Sequence, residues 1–110
     1  MFDIMSIMNK VKEAQAKIKE KQASLVHLTA EGESGAGLVK VTVNGHRQVL
    51  KIDLDDSLIT PDDKDMLQDL IVAATNKALE AIEINIKEEM KRATEGMMPN
   101  IPGMDLGSMF

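Results

Sequence analysis

Apolar residues recur every seven positions at the start of the chain. Ile4, Val11, Ile18 and Leu25 fall on one line of a helix, and Ile7, Ala14 and Leu28 on the adjoining line, with Lys21 interrupting it. The spacing predicts a helix over 4–25 with a narrow, coiled-coil-like ridge, and Asp3 or Ser6 suits its N-cap. The period then drops to two. Val26, Leu28 and Ala30 alternate with His27, Thr29 and Glu31, as in a half-buried strand, and Gly32-Glu33-Ser34-Gly35-Ala36-Gly37 reads as the turn that ends it. Leu38 to Val43 alternates next, with Val39, Val41 and Val43 on one face. Asn44-Gly45 predicts a tight hairpin with both turn residues at positive φ. The returning strand runs from about Arg47 to Asp55 and carries Leu50, Ile52 and Leu54 on its apolar face. Together the three runs predict an antiparallel meander.

A second helix starts at Thr60-Pro61-Asp62-Asp63, with Thr60 as N-cap, Pro61 in the first helical position and acids at the positive end of the dipole. Leu67, Leu70, Ile71, Ala74, Ala78 and Ile82 form its stripe, widened by Met66, Ala73 and Ile84. It runs to about Thr94, with Gly96 as the stop. The expected fold is α+β, an α-β-β-β-α domain over residues 1–96. The Met-, Gly- and Pro-rich stretch 97–110 has no periodicity and reads as a flexible tail, dispensable for folding.

Composition narrows the chemistry. The 110 residues include no cysteine, which removes disulfides, thiolate metal sites and cysteine nucleophiles. Phe2 and Phe110 are the whole aromatic complement, which argues against a site that stacks bases, sugars or flat cofactors on aromatic platforms. No apolar run reaches the roughly 18–20 residues of a membrane span, and no signal-peptide pattern opens the chain. The expected compartment is the cytoplasm.

The glycine-rich turn has the spacing of two phosphate-loop glycines, but Leu38 and Val39 stand where such a loop needs Lys and Ser or Thr. Ala36 takes the position of the last glycine of a nucleophile elbow. His27 and His46 have no companion ligands at metal spacing. Asp53, Asp55 and Asp56 resemble half a calcium loop without its Gly and closing Glu. No nucleophile, base and orienting group come together, so neither catalysis, a cofactor, a metal nor a small-molecule substrate is expected.

Charge is the remaining signal. The net charge is −5, but residues 1–50 hold seven bases against five acids, and residues 51–110 six against thirteen. The first helix concentrates the bases. Lys10, Lys17 and Lys21 lie on one flank of its ridge, Lys12 and Lys19 on the other, and Glu13 and Glu20 on the back. Such a pattern serves either to keep an apolar seam soluble or to hold an anionic polymer by its phosphates. Lys40, Arg47 and Lys51 on the sheet are secondary candidates.

The segments GESGAGLVKVTVNG (Gly32 to Gly45), IDLDDSLI (Ile52 to Ile59) and DKDMLQDLIVAATNKAL (Asp63 to Leu79) resemble the YbaB/EbfC family of small bacterial nucleoid-associated proteins. Leu54 departs from the pattern, in which proline commonly follows the Ile-Asp pair. The resemblance implies an α-β-β-β-α protomer, a tweezer-like homodimer in the nucleoid, and binding of double-stranded DNA with limited sequence discrimination. It implies no catalysis and no cofactor. On the residues alone, a prefoldin-like holdase chaperone and a purely structural dimer are the alternatives.

Overall fold

A computed structural model describes residues 3–95. The first helix, α1, spans Ile4–Ser24, and Asp3 caps it by accepting a hydrogen bond from the Met5 amide at 3.1 Å. A single 3-10 turn, Leu25–His27, leads into strand β1, Thr29–Ser34. Strands β2, Val39–Asn44, and β3, Val49–Leu54, complete an antiparallel sheet of order β1-β2-β3. After short 3-10 turns at Asp56–Leu58 and Pro61–Asp63, helix α2 runs from Lys64 to Thr94. Thr60 caps this entry, its hydroxyl accepting from the Asp63 amide at 3.2 Å. The α-β-β-β-α order is as the sequence predicts. The tail read at 97–110 lies outside the described residues.

Three features differ from the pattern-based expectation. β1 begins at Thr29 and continues through Gly32 to Ser34, where a turn was expected. Gly32 is in the strand because α2 lies directly on it. A Cβ there would overlap the Ala74 carbonyl oxygen and the Ala78 amide nitrogen, and would sit 2.9 Å from the Ala78 Cα. The turn itself is Gly35-Ala36-Gly37, with φ of 61°, 54° and 88°.

At the second hairpin, Arg47 rather than Asn44 or Gly45 takes the positive φ, at 60°. Asn44 and Gln48 close a three-residue loop, Asn44 N donating to Gln48 O at 3.0 Å, and a three-residue loop needs a left-handed residue at its third position. Gly45 is small for another reason. Its amide donates to the Leu28 carbonyl at 2.8 Å, and a side chain would strike the backbone of Leu25.

The third difference concerns β3. Its register pairs Leu54 with Val39 and Ile52 with Val41, so these residues share the face that α2 covers on β1 and β2. Yet α2 leaves much of β3 uncovered. Leu50 is 53 % exposed and Ile52 45 %, while Val39, Val41 and Val43 are fully buried. A bulge at Thr42/Val43 leaves Leu50 as the extra residue.

The core is built from those three valines, Leu25, Leu58 and a line along α2 at every fourth residue: Ala74, Ala78, Ile82, Ile86 and Met90. Met66 and Ile84, expected to widen the stripe, are exposed. Small residues let the helix sit close on the strand near Gly32. Larger ones take over where it leaves the sheet and meets α1, whose Ala14 is buried and whose Ile18 packs against the core. Ile4, Ile7, Met8 and Val11 lie on turns of α1 that remain exposed. The shape is correspondingly long. The radius of gyration is 20.0 Å, against about 13 Å for a compact chain of 100 residues.

Candidate nucleic-acid interface

Four contacts fix the course of α2 and with it the placement of the charges. The Leu70 carbonyl accepts from Ser34 Oγ at 2.6 Å, and Ala74 and Ala78 lie on Gly32. Further along, Glu83 is hydrogen-bonded to Arg47 of the β2–β3 loop, and Glu89 meets Lys21 of α1 at 2.8 Å. So α2 runs back along β1, passes the hairpin loop, and continues as the antiparallel partner of α1. The outer halves of the two helices form an arm that leaves the sheet.

The eight cations singled out by sequence separate into two groups on this frame. On the sheet, each is answered by a carboxylate. Lys40 is 3.9 Å from Glu33, Lys51 is 3.4 Å from Asp53, and Arg47 is held by Glu83. The hydrogen bond from Arg47 keeps the Glu83 carboxyl below its usual range. On the arm, only Lys21 has such a partner. Its hydrogen bond, followed by its charge, lowers the pKa of Glu89, to which Arg92 is also bound at 3.0 Å.

Lys10, Lys12, Lys17 and Lys19 are exposed and make no ion pair among the described residues. Their spacing along α1 keeps the two flanks distinct, Lys10 and Lys17 on one, Lys12 and Lys19 on the other. The acids that engage Lys21 and Arg47 were not found by sequence reasoning. Helix α2 reaches them only through its tertiary path, and no local spacing signals it.

Among the described residues, no group of three or more His, Asp or Glu is placed to hold a metal ion, and no helix is long and apolar enough to cross a membrane. One shallow, mostly apolar groove lies between Leu58, Ile59, Pro61 and Leu67, and the charged side chain at its rim is Lys64. His46 Nε2 lies 3.0 Å from the Gln22 carbonyl oxygen, where it ties the hairpin loop to α1.

A three-stranded sheet backed by one helix, with a two-helix cationic arm, defines a small α+β binding module whose ligand is anionic. Comparison with known proteins makes the assignment specific: residues 1–97 match the YbaB/EbfC DNA-binding family, and the chain belongs to it. A nucleoid-associated protein of Bartonella bacilliformis is 40 % identical over 106 residues, covering 96 % of this chain and 97 % of the relative. One from Granulibacter bethesdensis is 42 % identical over 107 residues, covering 96 % and 98 %. The crystal structure of an uncharacterized protein from Helicobacter pylori shares the fold, with a TM-score of 0.69 at 23 % identity over 84 % of this chain and 97 % of that one.

Proposed function

We propose that the protein is a nucleoid-associated homodimer that grips double-stranded DNA by its phosphates, with the lysines of α1 as the principal contacts. The observation that carries this reading is the contrast between the cations of the sheet, each matched to a carboxylate, and Lys10, Lys12, Lys17 and Lys19, which are not. Unpaired ammonium groups on an extended arm are free to replace the counterions of a polyanion. A lysine is a point charge that positions without specifying a base, and the described residues include no aromatic side chain to act as a wedge. Limited sequence discrimination follows. The names of the bacterial relatives, both nucleoid-associated proteins, support the same location and role.

The dimer is supported by β3. A long, uncharged inner face on an edge strand is a liability unless another chain covers it, and Leu50, Ile52 and Leu54 make such a face. Two protomers joined there present two arms to one duplex.

Binding of unrelated duplex sequences as a function of salt tests the DNA reading. The expected result is similar affinity for all of them, falling with a logarithmic slope of about −0.9 per neutralised phosphate. Salt-insensitive binding, or capture of denatured protein in preference to duplex, refutes it in favour of a holdase. For the assembly, Ile52→Asp places a charge on a surface that is solvent-exposed in the protomer. Light scattering should then report a folded monomer. An Ile52→Asp dimer of unchanged stability places the interface elsewhere.

A further inference from the structure

The two edges of the arm differ in charge, and contacts at its root identify them. On one edge Lys21 of α1 meets Glu89 of α2. On the other the β2–β3 loop bridges both helices, His46 lying against the Gln22 carbonyl of α1 and Arg47 bound to Glu83 of α2. Helical spacing extends each edge outward from these anchors. From Gln22, steps of three and four residues along α1 give Lys19, Gln15 and Lys12. From Glu83, steps of four along α2 give Lys87, Lys91 and, at the end of the helix, Glu95, a line parallel to the buried Ile82, Ile86 and Met90.

Lys12, Lys19, Lys87 and Lys91 therefore lie on the loop-side edge. All four are exposed, and none forms an ion pair among the described residues. Of the carboxylates on this line, Glu83 is engaged by Arg47 and also feels the charge of Lys87, and Glu95 stands at the far end, past Lys91. The opposite edge carries Lys10 and Lys17 but also Glu89, which binds both Lys21 and Arg92.

We propose that the loop-side edge, with Lys87 and Lys91 of α2 joining Lys12 and Lys19 of α1, is the surface that seats on the phosphate backbone. The Lys10, Lys17 and Lys21 edge, where Glu89 also lies, contributes less. Cations gathered along one edge of a helix pair repel each other, a cost that a bound polyanion reverses. This assignment rests on the DNA-binding reading above and selects a face within it.

The test uses the full chain and a random-sequence duplex, titrated between about 50 and 200 mM salt. Three double variants are compared: Lys87→Gln with Lys91→Gln, Lys12→Gln with Lys19→Gln, and Lys10→Gln with Lys17→Gln. Each loop-side pair should flatten the salt slope by about 0.9 per contact removed, and the Lys10/Lys17 pair should flatten it by less. Lys87→Arg with Lys91→Arg should keep the wild-type slope, since the charge is retained. Circular dichroism melts confirm that each variant is folded. If the Lys10/Lys17 variant shows the larger loss, the edge assignment is overturned while the α1 reading stands. Loss in the Lys12/Lys19 variant alone overturns the role of α2. Unchanged binding in all three variants, singly and combined, overturns the arm reading itself.

Discussion

Adding one methyl group at Gly32 tests how closely α2 is laid on the sheet. Gly32→Ala would put a Cβ into the Ala74 carbonyl oxygen and the Ala78 amide nitrogen, with the Ala78 Cα at 2.9 Å. These are backbone atoms of a hydrogen-bonded helix, so no side-chain rotation relieves the overlap. Restoring van der Waals contact requires α2 to lift by roughly 1 Å, and a gap of that size forfeits up to about half of the dispersion energy of each atom pair it separates. The lost pairs include Ala74 and Ala78, both fully buried, and extend to the valines of β2. Overpacking of this kind costs about 1–3 kcal/mol, and the rigid partner puts Gly32→Ala near 3 kcal/mol, over a hundredfold in the folding equilibrium. Gly37→Ala is the control. Its Cβ meets nothing nearer than Glu33 Oε2 at 3.5 Å, so the cost is that of a left-handed φ of 88°, about 1–2 kcal/mol. Urea unfolding followed by far-ultraviolet circular dichroism, at one protomer concentration, measures both. A Gly32→Ala variant less destabilised than Gly37→Ala would refute the close strand–helix approach.

The loop at Arg47 separates backbone strain from its ion pair: Arg47→Gly removes both, whereas Arg47→Ala keeps the strain. Arg47→Gly should therefore be the more stable by about 1 kcal/mol in thermal or urea melts. Glu83 and Glu89 are held below the usual carboxylate range by Arg47 and Lys21, so their contribution is complete above the unfolded value of about 4.3 and is lost as pH falls through the lower folded values. Melting temperature should fall on that acid limb, and Glu83→Gln combined with Glu89→Gln should make the limb shallower. Near 0.01 M salt, DNA affinity should drop below the line extrapolated from higher salt, as binding isotherms in that range will show.

Much of this architecture is legible in the chain because local pattern and tertiary role coincide. The helix of α1, the alternation of Val39, Val41 and Val43, and the caps Asp3 and Thr60 all form in three dimensions as their pattern suggests, although Ile4, Ile7 and Val11 of the α1 ridge stay exposed. Legibility fails where a residue is chosen for a distant neighbour. Gly32 reads locally as a turn, but it serves α2. Gly45 reads as a positive-φ residue, but it makes room for Leu25. Alternation identifies the apolar face of β3 without revealing whether anything covers it. The lysines of α1 were visible as a cluster. Lys87 and Lys91 gain significance only once α2 is seen to run beside α1, since in sequence they sit among Glu83, Glu88 and Glu89.

The path of α2 also explains how a chain of net charge −5 can present a cationic surface. Between residues 53 and 69 there are seven aspartates and one base, Lys64. This segment lies at the end of the sheet where Asp55 N donates to the Leu38 carbonyl at 2.9 Å and Ser34 meets Leu70. From Asp69 to Lys87 the helix rises about 1.5 Å per residue, placing the acidic end roughly 27 Å from the nearer lysine of the arm. At physiological salt the Debye length is about 8 Å, so repulsion between those aspartates and DNA on the arm is almost wholly screened. The arm then acts by its local charge. At about 0.01 M salt the screening length grows to roughly 30 Å and spans that separation, and the aspartates oppose the same phosphates that the lysines attract. A 31-residue helix thus does more than complete the core, because its length holds these seven aspartates beyond electrostatic reach of a ligand on the arm at physiological salt.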